Sequence, residues 1–170
     1  MANYNTSSGN HTFNDEIRVD EIKDNAGTGA PNFPNGLQLS GVDISSGFYT
    51  PSISSISGFD AVTTNVFMYL QVGNVVHVAG TLSLDPTTLG SSSSFQIDLP
   101  VSRSAGSFGS TNEAAGVGVN QIPPTSTGRT DSVQVRAQPG GQTVAMTHGG
   151  PTHTGNSVYS FQFTYRRTNQ

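Results

Sequence analysis

Side chains able to do acid, base or metal chemistry are sparse in this chain: four histidines, eleven carboxylates and no cysteine. His148 and His153 bracket Gly-Gly-Pro-Thr, so two imidazoles share one loop. Two histidines on a loop can begin a metal site, and a symmetry axis in an oligomer would multiply them. No thiolate and no neighbouring Asp or Glu completes the ligand set, so the pair reads as polar loop residues and no metal is expected. His77 sits within a β-rich run, where a satisfied, partly buried ring is expected. Beyond residue 40 the carboxylates are Asp43, Asp60, Asp85, Asp98, Glu113 and Asp131. Asp85 precedes Pro86 and is expected to begin a turn, and Asp60 follows Gly58-Phe59 in an expected loop. A glycosidase pair need not be adjacent in sequence, but nothing here singles one out. Nucleophile-elbow, phosphate-loop and zinc-protease motifs are absent, and the four serines at 91–94 read as a solvated loop. The expectation is a protein without catalysis and without a cofactor.

Charge narrows the partners. Net charge is −4, the one lysine is Lys23, and seven of the eighteen charged residues fall within 15–24. Non-specific nucleic-acid binding needs clustered cations to displace counterions, and the pair Arg166-Arg167 is too small for that. The surface must instead be covered by Ser, Thr, Asn, Gln and Gly. The start MANYNTSSGNHTF has neither a basic nor an apolar region, so no secretory signal is expected and the two Asn-x-Ser/Thr sequons within it carry no weight. The most apolar window, 66–79, is interrupted by Gln71, Gly73, Asn74 and His77 and is too short to cross a bilayer. A soluble protein with no membrane role is expected.

The elements that must position these groups are strands. In NVFMYLQVGNVVHVAGTLSLDP, two β-rich runs flank Gly73-Asn74, a glycine-first pair suited to a type II′ hairpin. If Val72 faces Val75, then Phe67, Tyr69 and Gln71 share one sheet face with Val76, Val78, Gly80 and Leu82, and the Phe67 ring lies over Gly80. The opposite face carries Val66, Met68 and Leu70. A strand apolar on both faces is buried twice, inside a sandwich or against another subunit. Alternation continues through Phe95-Ile97-Leu99, Val117-Val119, Val133-Val135-Ala137 and Val144-Met146, and closes with Tyr159, Phe161, Phe163 and Tyr165 on one side of the last strand. Gly or Pro punctuates nearly every gap. Short strands at roughly ten-residue spacing predict an all-β fold, a β-sandwich or jelly-roll-like knob over residues 45–170.

Residues 1–44 are expected to form an extended N-terminal arm. Large apolar residues are scattered there among Asn, Ser, Gly, Pro and charge, too few to offset the entropy of ordering forty residues alone. A short helix over 14–24 is one option, since Ile17, Val19 and Ile22 fit neither a helical nor a strand period. AGTGAPNFPNG, with its prolines, favours extended backbone around Phe33, and a plain linker is the bland alternative. Leu37 and Leu39 alternate as a leading strand, with a turn expected at 45–47. An arm of this composition anchors on a partner through Ile17, Val19, Ile22, Phe33, Leu37 and Leu39, by apolar contact or strand addition.

VFMYLQVGNVVHVAGTLSLDPTT, FQIDLPVSR and YSFQFTYRR together resemble the C-terminal β domain of tailed-bacteriophage virion proteins, both fibre-like and capsid-decorating. RVDEIKDNAGTGAPNFPNGLQLSG resembles the N-terminal attachment segments of such proteins. The likeness covers most of the chain and is loosest over 102–142. It implies a homotrimer made in the bacterial cytoplasm and placed on the virion. Two roles compete: a capsid cement whose arms bind neighbouring major capsid protein subunits, or a short tail fibre whose knob contacts host-surface glycans. Short length and the lack of a fibrous shaft repeat favour cement.

Overall fold

Gly73 takes a φ of +58° while Asn74 does not follow it into positive φ, which is the type II′ geometry expected of this pair. Val72 faces Val75, Gln71 faces Val76 and Tyr69 faces Val78, so the hairpin register is the one the sequence predicts. The computed structural model of the protein describes residues 37–39, 42–104, 106–120, 131–152 and 154–167. The fold is all-β. Its strands are β1 (Leu37–Leu39), β2 (Val42–Tyr49), β3 (Ile53–Ser57), β4 (Phe59–Thr64), β5 (Phe67–Val72), β6 (Val75–Pro86), β7 (Ser93–Asp98), β8 (Ala114–Asn120), β9 (Ser132–Ala137), β10 (Thr143–His148) and β11 (Ser157–Arg166). Among the described residues the one helical piece is a 3-10 turn, Thr111–Glu113, capped by Ser110.

The strands form one antiparallel sheet in the order β1-β2-β5-β6-β11-β8-β9-β10-β7-β3. Strand β6 is twelve residues long and serves two partners on one edge. Its first half pairs β5 and its second half pairs β4. Because β3 ends the order and β4 lies beside β6, the link between them curls the sheet onto itself. That corner is Gly58, at a φ of +73°, where an added Cβ would sit 2.6 Å from the Ser93 hydroxyl oxygen. Ser93 Oγ donates to the Gly58 carbonyl at 2.9 Å and fixes the bend.

Inward side chains from both sides of the curl fill one core. Tyr159, Phe161, Phe163 and Tyr165 are all buried, as are Val133 and Val135 of β9, Val144 and Met146 of β10, and Phe95 and Ile97 of β7. Aromatic rings are accommodated by glycines on the neighbouring strands. The Phe67 ring fills the space a Cβ of Gly80 would need, and Phe161 does the same to Gly118. Tyr165 Oη donates to the Val101 carbonyl at 2.7 Å and accepts from the Val101 amide at 3.2 Å.

Several local expectations are corrected. Residues 45–47 lie inside β2, where Gly47 is needed because a Cβ there would come within 2.8 Å of the Tyr69 ring. Asp60 lies in β4 and accepts from Thr87 Oγ1, and Asp85 lies in β6 with Pro86 still paired to Phe59. Of the four serines, only Ser91 and Ser92 are exposed loop; Ser93 begins β7 and is buried.

Candidate functional site

The outward face of β2, β5, β6, β11 and β8 is the most unusual surface of the domain. Register carries one outward row across the sheet, from Met68 to Ala79, Gln162, Val117 and Gln134. Phe48 stands beside Met68 on β2. On one flank Phe48, Val66 and Met68 are 74%, 61% and 54% exposed, and Leu70 and Val72 continue that ridge. On the other flank Val117 and Val119 project from β8. Between the two ridges Ala79, Thr81, Ser160 and Gln162 floor a trough of about 600 Å³. Only the inward Phe67, Tyr69 and Gln71 are needed to close the core, so the outward apolar set is surplus to folding. The trough offers apolar walls and a few neutral hydrogen-bonding groups, which suits a complementary apolar surface and gives no means to hold or activate a charged ligand.

Strand β8 inverts the simple reading of its alternation. Its valines face solvent and its glycines face the core, where Phe161 and Phe163 take the volume. The signal was present in the sequence as Gly-Val-Gly-Val beside a four-aromatic strand.

A second cluster was not foreseen. His148 ends β10 and is buried, not a loop residue, and Asp131 lies close to it. Its Nε2 is 3.3 Å from Tyr159 Oη and 3.9 Å from Asp131 Oδ2. Asp131 accepts from the Thr152 amide at 3.1 Å and the Thr152 hydroxyl at 2.9 Å, fastening the loop after β10 to the start of β9. Burial, helped by the Asp131 charge, pushes the Tyr159 phenol above its ordinary pKa, opposite to what a nucleophilic or basic phenolate needs. The cluster therefore reads as a structural polar staple. His77 is exposed rather than partly buried, with Nδ1 3.1 Å from Thr164 Oγ1. His153 lies outside the described residues. Among the described residues no group of three or more His, Asp or Glu side chains is placed to hold a metal ion.

A third feature fixes the loop between β7 and β8. Arg103 is buried, lies 4.1 Å over the Phe108 ring, donates to the Arg166 carbonyl at 2.8 Å and pairs with Glu113. Partial burial of Glu113 works against its charge, but the Ser110 and Gly109 amides and Arg103 outweigh it and hold the carboxyl below its usual range.

Of the six expected arm contacts, Ile17, Val19, Ile22 and Phe33 lie outside the described residues. Leu37 and Leu39 are the ends of β1, paired with Ile44 and Val42. No protein-family model matches the chain, and no curated protein matches it.

Proposed function

We propose that the protein is a self-associating structural component of a tailed-bacteriophage particle, a homotrimeric capsid decoration protein. In this reading residues 1–35 attach to neighbouring major capsid protein subunits and the β domain packs against its own copies. The observation that carries the self-associating part is the outward apolar face of β2, β5 and β8 on a domain whose core is already filled. The location on a particle is supported by the sequence resemblance of the hairpin, the closing strand and the arm. Neutral polar residues dominate the rest of the chain, consistent with a surface that meets solvent on a particle. A tail-fibre role with a glycan-binding knob is the second reading, favoured by one observation: the aromatic ring of Phe48 walls a trough whose floor offers the hydroxyl and amide groups of Thr81, Ser160 and Gln162.

The test is the number of copies per particle, by quantitative electrophoresis against the major capsid protein. Hundreds of copies in a simple ratio to the coat are expected for decoration of repeated capsid sites. A few to a few tens would move the protein to the tail. Removing residues 1–35 is expected to abolish particle binding while leaving the β domain folded, since the contacts of residues 36–170 form a unit of their own.

A further inference from the structure

We propose that the occupant of the trough is a second copy of this chain, with the Phe48–Met68 ridge of one copy seated between Met68 and Val117 of the next. The inference deepens the self-associating part of the proposed function and is independent of where on a particle the protein sits.

Area is the first argument. Nine large apolar side chains on this face are between 39% and 74% exposed, which amounts to on the order of 700 Å² of apolar surface per copy. The largest apolar patch on an ordinary monomer is about 300–600 Å², whereas a stable interface buries about 800 Å² on each partner. The face is thus too large for a free monomer and close to the size of one half of an interface.

Charge is the second. The outward positions of β5 and β8, of 75–81 in β6 and of 160–164 in β11 include no Asp, Glu, Lys or Arg. Arg166 and Arg136 enter only at one end, beside Val75 and Ala115. A surface chosen for an unlike partner gains on-rate and specificity from complementary charge. A neutral apolar face gains none of that from a charged partner and suits an equally neutral one, such as the same face of another copy.

Shape is the third. One face carries both a projecting ridge and a recess with a floor of small and neutral residues, about 600 Å³ in volume. Each copy can therefore give a ridge and receive one, and a rotation that repeats this contact closes an oligomer.

The chain has no cysteine, so introduced thiols report without interference. Phe48 and Ser160 are separated by three strand spacings within one copy (β2 to β5 to β6 to β11), about 14 Å, beyond the roughly 7 Å that a disulfide can bridge. In the full-length protein carrying Phe48→Cys and Ser160→Cys, mild oxidation is expected to give covalent oligomers, with little product from either single variant. Light scattering is expected to show an oligomer for the unmodified protein at micromolar concentration. Phe48→Ser is expected to weaken it by roughly 30-fold or more, the loss typical of a central aromatic anchor. Leu89→Ser, at an exposed leucine off this face, is the control and is expected to change nothing. A monomer, an oligomer indifferent to Phe48→Ser, or efficient cross-linking by Phe48→Cys alone would overturn the proposal. An oligomer with the expected properties that fails to bind particles sinks the capsid reading and leaves this one intact; a monomer that binds particles does the reverse.

Discussion

The two faces of β5 carry similar apolar residues and do different work. Inward Phe67 lies over Gly80 and packs edge-on against Tyr49, with ring centroids 5.9 Å apart, so its ring is fully buried. Outward Val66, Met68 and Leu70 have no covering layer within the described domain. Apolar composition is therefore a poor guide to where folding energy resides. What counts is whether the opposite side of the contact is supplied by this chain or by another molecule.

The contrast is broken or upheld by paired substitutions. Phe161→Ala empties a core position shared with Gly118 and is expected to destabilise by about 3–5 kcal/mol in denaturant titration. Phe48→Ser, measured at a concentration low enough to hold the protein monomeric, is expected to stay within about 0.5 kcal/mol of the parent. If the two variants lost comparable stability as monomers, the outward face would be part of the core and the distinction would fail.

The polar end of the interior sharpens the same point, because there the opposite side of each contact is a hydrogen bond. Asp131→Ala strips the Thr152 amide and hydroxyl of their acceptor and is expected to cost about 1–3 kcal/mol. Amide exchange should accelerate first at Thr152. Unchanged exchange there would mean that the loop is held by other contacts.

Legibility in the sequence follows the range of the contact. The β5–β6 register and the core side of β11 depend on local alternation and on a turn pair, and both were readable. The misread turn at 45–47 has a different cause. Ser and Gly favour turns when considered locally, yet Gly47 is glycine because Tyr69 on another strand occupies its Cβ space. The curl at Gly58 and the Asp131–His148–Tyr159 staple depend on residues that the chain brings together only after strands far apart in sequence have paired. No spacing rule links Asp131 to His148; the β9–β10 pairing does. The apolar face was half legible. Two-sided apolarity of β5 marked it, while Val117 and Val119 joined it only once the glycines of β8 were seen to face Phe161 and Phe163.

Among the described residues, high pH probes the inward face. Burial pushes the Tyr165 phenol up to about 12 from its ordinary 10.0, against the opposing pull of its bond to Val101. Tyr49 and Tyr159 are raised in the same direction, also mainly by burial. A group whose folded pKa exceeds its unfolded one stabilises fully below the unfolded value and loses that contribution as pH rises toward the folded value. Melting temperature is therefore expected to fall progressively above about pH 10. Tyr165→Phe should lower stability at neutral pH, through the lost Val101 bonds, and should make the alkaline decline shallower. An unaltered alkaline slope would show that Tyr165 titrates as an exposed phenol does.

The smallest effect belongs to a contact at the rim, between interior and solvent. Glu113 is held below its ordinary carboxyl range, so its contribution is present above the unfolded pKa and disappears as pH falls through the folded one. Melting temperature is expected to drop in that acid window, and Glu113→Gln should flatten the drop. Its partner Arg103 is buried and keeps its stacking on Phe108 and its bond to the Arg166 carbonyl when Glu113 is neutralised. For that reason the variant is expected to retain its fold and its oligomeric state. A dissociated oligomer after Glu113→Gln would tie the loop between β7 and β8 to the subunit contact and move the interface away from the trough. A change confined to the acid limb keeps the two apart.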